Sequence, residues 1–165
     1  MVLSEYPTGG HGYPLRMNTG DIVEDFELPT QDGSPWRLSA ALQNGPVVLF
    51  FYPAAMTKGC TVESCHFRDL AAEFAALGAQ RVGISIDKVE KQKQFSDKHG
   101  FDYPLLSDPD QKVASIFAVA RNISFLPTKR VTFVIDTDRR ILARISSEIR
   151  MNAHADQALE ILRQR

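Results

Sequence analysis

Two cysteines five positions apart, Cys60 and Cys65, are the residues whose type and spacing promise chemistry in this chain. A thiolate is a nucleophile and a two-electron reductant, and a second thiol can capture its oxidised form as a disulfide. Two cysteines in 165 residues are too few for a disulfide scaffold or a four-cysteine metal site. His66 is the one metal-ligand candidate beside the pair, too little for zinc. A thioredoxin-type redox motif would leave two residues between the cysteines, and four stand here. The bland alternative is a pair of small buried hydrophobes.

The stretch before Cys60 weighs against that alternative. In Tyr52-Pro53-Ala54-Ala55-Met56-Thr57-Lys58-Gly59-Cys60 an apolar strand ends at Pro53, and Thr57 is placed to cap a helix. Cys60 then falls in the first helical turn, where unpaired N–H groups and the helix dipole favour an anion. Ionisation alone is a modest gain. A free thiol at pKa ~8.5 is ~3% ionised at pH 7, so full ionisation contributes at most ~30-fold. Enzymes commonly reach ~10⁶ or more. The balance has to come from positioning and from stabilising charge on a leaving group. Cys65 lies ~140° further around the same helix, on its wetter face, with a Cα roughly 8.6 Å from that of Cys60. A disulfide requires less than ~7 Å, so bonding the pair would require the first turns to unwind.

The elements that must position these residues are legible as an alternation. Asp25–Leu28 and Trp36–Leu38 flank the turn Gln31-Asp32-Gly33-Ser34, which predicts a small N-terminal β-hairpin. Val47 to Tyr52 reads as a strand buried on both faces. Residues 58–77 read as one helix with an apolar stripe of Phe67, Leu70, Ala71, Phe74 and Leu77, closed by Gly78. A strand over Arg81–Asp87, a polar helix over Val89–His99 and a short strand at Leu105-Leu106 follow, then a helix near 111–117. Val131–Ile135 and Ile141–Ile145 form a second hairpin, and a last helix runs from Ala153 to Gln164 behind an Asn152 cap. This is a single α/β domain over residues 18–165, preceded by a flexible extension over residues 1–17.

Nineteen basic against twenty acidic residues provide no field for nucleic acid, and no apolar run is long enough to span a membrane. With no secretory signal visible, the expected location is cytoplasmic, where a close cysteine pair is catalytic more often than structural.

At these residues the sequence resembles the peroxiredoxins, whose motif Pro-x-x-x-Thr/Ser-x-x-Cys is met by Pro53, Thr57 and Cys60. The Cys60–Cys65 spacing is similar to that of the peroxiredoxin Q, or bacterioferritin comigratory protein, subfamily. So are Gly20-Asp21 with Asp25-Phe26, Phe67-Arg68-Asp69, Gly83-Ile84-Ser85, Pro104 to Asp108, and Arg130 ahead of Thr132 to Asp136. The resemblance spans residues 18–165 and implies a thioredoxin-like fold, a central mixed β-sheet flanked by helices. It implies that Cys60 is the peroxidatic cysteine and Cys65 the resolving one. Pro53 would shield the thiolate, while the Thr57 hydroxyl and the N–H groups of Gly59 and Cys60 would hold the peroxide oxygens. Arg130 would stabilise thiolate and leaving oxygen, with Glu63 positioning the arginine. A forked, permanently charged donor suits two adjacent oxygens. The implied activity is reduction of hydrogen peroxide and alkyl hydroperoxides without metal, haem or flavin. The cysteine pair would be recycled by thioredoxin or a similar dithiol, in a monomer or weak homodimer. Two rivals remain on the same scaffold, a thiol–disulfide reductase and a non-enzymatic interaction domain.

Overall fold

The computed structural model describes residues 16–122 and 126–165. The expected extension lies outside these residues except for its last two. Of these, Met17 is buried in the core, so the packed part of the chain starts before residue 18.

Strands β1 (Glu27–Pro29) and β2 (Pro35–Arg37) form a separate antiparallel ribbon around the expected turn. A short helix α1 (Leu38–Ala41) follows. The main sheet has β3 (Val47–Phe51), β4 (Gln80–Ser85), β5 (Leu105–Ser107), β6 (Val131–Ile135) and β7 (Ile141–Ser146) in the order β5-β4-β3-β6-β7. β3, β4 and β5 are parallel, β6 is antiparallel to β3, and β7 is antiparallel to β6. Side chains alternate across a strand, so Val47, Leu49 and Phe51 enter one apolar layer while Val48 and Phe50 enter the other. α1 and α5 (Lys112–Ile116) cover the first face. On the second lie α2 (Lys58–Asp69), α3 (Ala71–Ala76), α4 (Val89–His99) and α6 (Met151–Arg163).

Two helices depart from expectation for identifiable reasons. The single helix over 58–77 is broken at Leu70 (φ −95°, ψ 19°) into α2 and α3. The Arg81 guanidinium donates to the carbonyl of Phe67 at 2.9 Å, an acceptor that an unbroken helix would offer to the N–H of residue 71. The apolar stripe survives, with the rings of Phe67 and Phe74 stacked 5.8 Å apart. The last helix begins at Met151, and Asn152 lies inside it. Its entry is secured from further upstream, where Ser147 Oγ accepts the N–H of Arg150 at 2.9 Å.

The register decides where the chemistry is placed. Phe51, the last residue of β3, is opposite Ile84 of β4 and Val131 of β6. The loop leaving β3, the segment leaving β4 and the residue entering β6 therefore meet at one edge of the sheet. Those are residues 52–57, residues 86–88 and Arg130.

Candidate active site

α2 starts as expected, with Thr57 in the extended capping conformation (φ −82°, ψ 157°) and Cys60 in the first turn. The Thr57 hydroxyl does not cap the helix; it donates to the Ala54 carbonyl at 2.7 Å and braces the loop instead. Pro53 is buried beneath that loop. Cys60 is only 1% exposed, and Arg130 points Nη2 at its Sγ from 3.3 Å. The other arm of the guanidinium, Nη1, donates to Glu63 Oε2. Cys60 and Glu63 are three residues apart on α2, hence on one face, and a single fork spans both. Gly59 completes the turn where a side chain would crowd its neighbours. A Cβ there would stand 3.0 Å from Met151 Cε and 3.3 Å from Arg130 Nη2.

The electrostatics follow from burial. Burial opposes the charge on Arg130, but Glu63 and Cys60 outweigh it and its pKa rises, leaving a permanent cation. Burial pushes the Glu63 carboxyl up to about 7 against the pull of Arg130. Breaking such a buried pair costs roughly 3–5 kcal/mol, since one charge is left without a partner. Residue Glu63, which on a bare helix pattern could equally face solvent, is fully buried.

Cys65 differs from its expected setting. It is half-buried, packed against the apolar layer of α2 and α6, and burial raises its pKa despite nearby Arg68. Both cysteines are free thiols in an unbroken helix. The Nε2 of His66 meets Asp156 Oδ1 of α6 at 2.7 Å, and among the described residues it has no cluster of ligands around it that could hold a metal.

Three contributors were not anticipated. His154 of α6 is fully buried behind Glu63, its Nδ1 3.9 Å from Glu63 Oε1. Its Nε2–H donates to the Ser147 carbonyl at 2.8 Å, and Nδ1 accepts from the Thr132 hydroxyl at 2.8 Å. Burial lowers its pKa, aided by Arg130, so the ring is held neutral. The spacing of His154, Ala155, Ala158, Leu159 and Leu162 would have placed it on the buried stripe. Glu148 accepts the Arg130 N–H at 3.2 Å and Arg121 Nη2 at 2.7 Å, fixing the strand entry that carries Arg130. Asp87 ties the loop before Cys60, with Oδ2 accepting the Ala55 N–H at 2.7 Å. Val62 (45% exposed) and Ile149 (87%) line one hollow with Met151, and Met56 (39%) is exposed in the loop before α2.

The model of the AhpC/TSA family matches residues 19–144. The chain is 62% identical to a putative peroxiredoxin of Mycobacterium tuberculosis over 149 residues, 89% of this chain and 97% of that protein. It is 37% identical to peroxiredoxin Bcp of Escherichia coli over 153 residues, 90% and 97% of the two chains. The crystal structure of peroxidoxin BcpB from Mycobacterium tuberculosis superposes with a TM-score of 0.87 at 62% identity, covering 90% of this chain and 98% of that one. The fold is accordingly the thioredoxin-like fold of peroxiredoxins. The chain belongs to the AhpC/TSA family and, within it, to the peroxiredoxin Q/Bcp subfamily.

Proposed function

We propose that this peroxiredoxin reduces hydrogen peroxide and alkyl hydroperoxides through Cys60, with Cys65 as the resolving thiol and thioredoxin or a similar dithiol as reductant. The observation that carries the reading is the Arg130 fork, one arm on the Cys60 sulfur at 3.3 Å and the other on buried Glu63. A peroxide oxygen approaching Sγ arrives beside a cation whose orientation is already fixed. No reorganisation is then needed as charge moves to the leaving oxygen.

In the first step the Cys60 thiolate attacks the terminal oxygen and the O–O bond breaks. The sulfur is oxidised to sulfenic acid, and the departing oxygen takes a proton to leave as water or alcohol. The N–H groups of Gly59 and Cys60 at the helix start, and the Thr57 hydroxyl oxygen, supply the polar contacts for the peroxide. Pro53 keeps bulk water from the sulfur. The hollow lined by Val62, Ile149 and Met151, whose Cε lies next to Gly59, is compatible with an alkyl group on the substrate.

In the second step the Cys65 thiol condenses with the sulfenic acid, forming the S–S bond and releasing water. In a regular helix the Cα atoms stand roughly 8.6 Å apart, so the first turns of α2 open before the bond can close. An external dithiol then exchanges with the disulfide and returns both thiols. The domain over residues 18–165 acts alone or as a weak homodimer, in a cytoplasmic setting that keeps the resting thiols reduced.

One equivalent of hydroperoxide tests the reading. The expected result is rapid loss of both thiols, a decrease of ~2 mass units and a single Cys60–Cys65 link. Slow, undirected oxidation would overturn it. Disulfide reduction without any peroxide reaction would favour the thiol–disulfide reductase.

A further inference from the structure

Met56, two residues before the start of α2, has a left-handed backbone (φ 69°) with no glycine to make that conformation easy. A strained residue of this kind persists only where its neighbours over-determine it. Two hydrogen bonds bracket it. On its far side the Thr57 hydroxyl reaches back to the Ala54 carbonyl at 2.7 Å, but that bond lies within the loop. On its near side the N–H of Ala55, a residue 2% exposed, donates to Asp87 Oδ2 at 2.7 Å. Only the second bond ties the loop to the sheet.

The Asp87 carboxylate is itself held. Oδ2 also accepts the Ser85 hydroxyl at 2.7 Å, and Ser85 Oγ accepts from Gln92 of α4 at 2.9 Å. Gln92 continues to the Leu106 carbonyl at 2.8 Å and to the hydroxyl of Tyr52 at 2.6 Å, while Ser107 Oγ donates to the Asp87 carbonyl at 2.5 Å. β4, β5 and α4 thus hold the residue Asp87 directly or through Ser85, and the outward contact of its carboxylate is a loop amide five residues before Cys60.

We infer that Asp87 is a positioning residue for the peroxide reaction: by holding the Ala55 amide it keeps Met56 in its left-handed turn and the first turn of α2 set with Cys60 against Arg130. The inference rests on Cys60 being the reacting thiol. Without this acceptor the Ala55 N–H is buried and unpaired, and the loop relaxes toward an ordinary conformation at Met56. Cys60 then moves off the guanidinium that stabilises the reaction. The role needs an acceptor oxygen and not a charge, since the amide oxygen of asparagine can take both the Ala55 N–H and the Ser85 hydroxyl.

The test compares D87A, D87N and the double variant D87A/M56G, all in a Cys65→Ser background so that only Cys60 reacts. Rapid mixing with hydrogen peroxide should show D87A slower by about tenfold or more, the scale of a small misplacement at a reacting centre. D87N should stay close to the parent. Glycine at position 56 adopts the left-handed turn without strain, so D87A/M56G should recover part of the lost rate. A role for Asp87 in general packing of the strand ends would not be rescued by that glycine. The inference is overturned if D87A reacts within about twofold of the parent, if D87N is as slow as D87A, or if M56G restores nothing. Should D87A fail to fold, amide exchange in the unaltered protein decides the matter. The Ala55 N–H should exchange far more slowly than that of Met56, and equal rates would overturn the assignment. Maleimide labelling of Cys60 separates this from the proposed function. If the parent does not react with peroxide, that function fails, while faster labelling in D87A would still support the loop assignment and unchanged labelling would overturn it.

Discussion

The two halves of α2 are fastened by different kinds of interaction. The half carrying Cys60 is held by one guanidinium shared between Cys60 and Glu63, and by a loop anchored through the Tyr52 N–H on the Ile84 carbonyl and the Ala55 N–H on the Asp87 carboxylate. The half from Ser64 onward is fixed by bonds to backbone and by aromatic packing. Tyr103 donates to the Ser64 carbonyl at 2.6 Å, Arg81 to that of Phe67 at 2.9 Å, and Arg68 to that of His99 at 2.7 Å. Phe67 stacks on Phe50 with ring centroids 4.1 Å apart. These ties do not involve the reacting sulfur. The Arg130 contact does, and in the proposed cycle it would weaken once Cys60 is oxidised to a sulfenic acid. On that proposal, the end of the helix that opens is held by an interaction that the chemistry itself removes.

The largest test of this contrast removes each sulfur in turn. Cys60→Ser should abolish peroxide turnover altogether. Cys65→Ser should keep the first oxidation, read by rapid-mixing kinetics, yet lose steady-state turnover with a dithiol reductant. Unimpaired turnover would show that the far half of the helix takes no part. Next in size is Arg130→Met, which removes the preorganised cation and leaves buried Glu63 without its partner, so the rate is read on the folded fraction. We expect oxidation of Cys60 slower by about 10²–10³-fold, the usual cost of deleting such a group. A rate near that of the parent would place the stabilisation elsewhere.

The legibility of the molecule follows the same division. Pro53, Thr57 and Cys60 are close in sequence, and their spacing alone places a thiol at a helix start. Arg130 stands 70 positions from Cys60; nothing local marks it among its basic neighbours, and only resemblance to a family singled it out. Glu63 looks like any acidic residue on a helix until β6 and α6 cover it. The break at Leu70 was hidden for the same reason, because its cause, Arg81, comes from another strand. The strands and their alternation were plain, since burial on both faces is a property of each strand's own residues. The ties between elements were not, because a hydrogen-bond partner is chosen by packing.

A smaller perturbation sharpens the comparison from the fixed half. Tyr103→Phe removes the hydroxyl bonded to Ser64 but leaves the buried ring in place. The Ser64 carbonyl keeps its helical acceptor role, so the cost should be about 1 kcal/mol by denaturant titration. The amides of Phe67 and Arg68 should exchange faster, as opening of α2 spreads past its former limit. Peroxide oxidation of Cys60 should hardly change; a large loss would mean that the two halves are not mechanically distinct.

The smallest effect concerns the buried wall behind the reactive half. Burial, with Arg130 adding to it, lowers the pKa of His154 below its ordinary 6.5, so the folded protein resists protonation there more than the unfolded chain does. Above pH ~6.5 both states hold the ring neutral and the contribution to stability is complete. As pH falls through 6.5 the unfolded chain gains a proton first, and stability is lost until the folded pKa is passed. Glu63 acts in the opposite sense. Its carboxyl is raised from 4.5 to about 7, so its contribution is complete below 4.5 and is lost as pH rises toward 7. The two groups are 3.9 Å apart and partly cancel in the wild-type profile. Substitution separates them. Relative to His154→Asn, the wild type should lose unfolding free energy as pH falls from 7.5 toward 5.5, and relative to Glu63→Gln it should gain over that range. If both differences stay flat, neither group titrates behind the Arg130 fork, and the reactive half would be held by packing as firmly as the other.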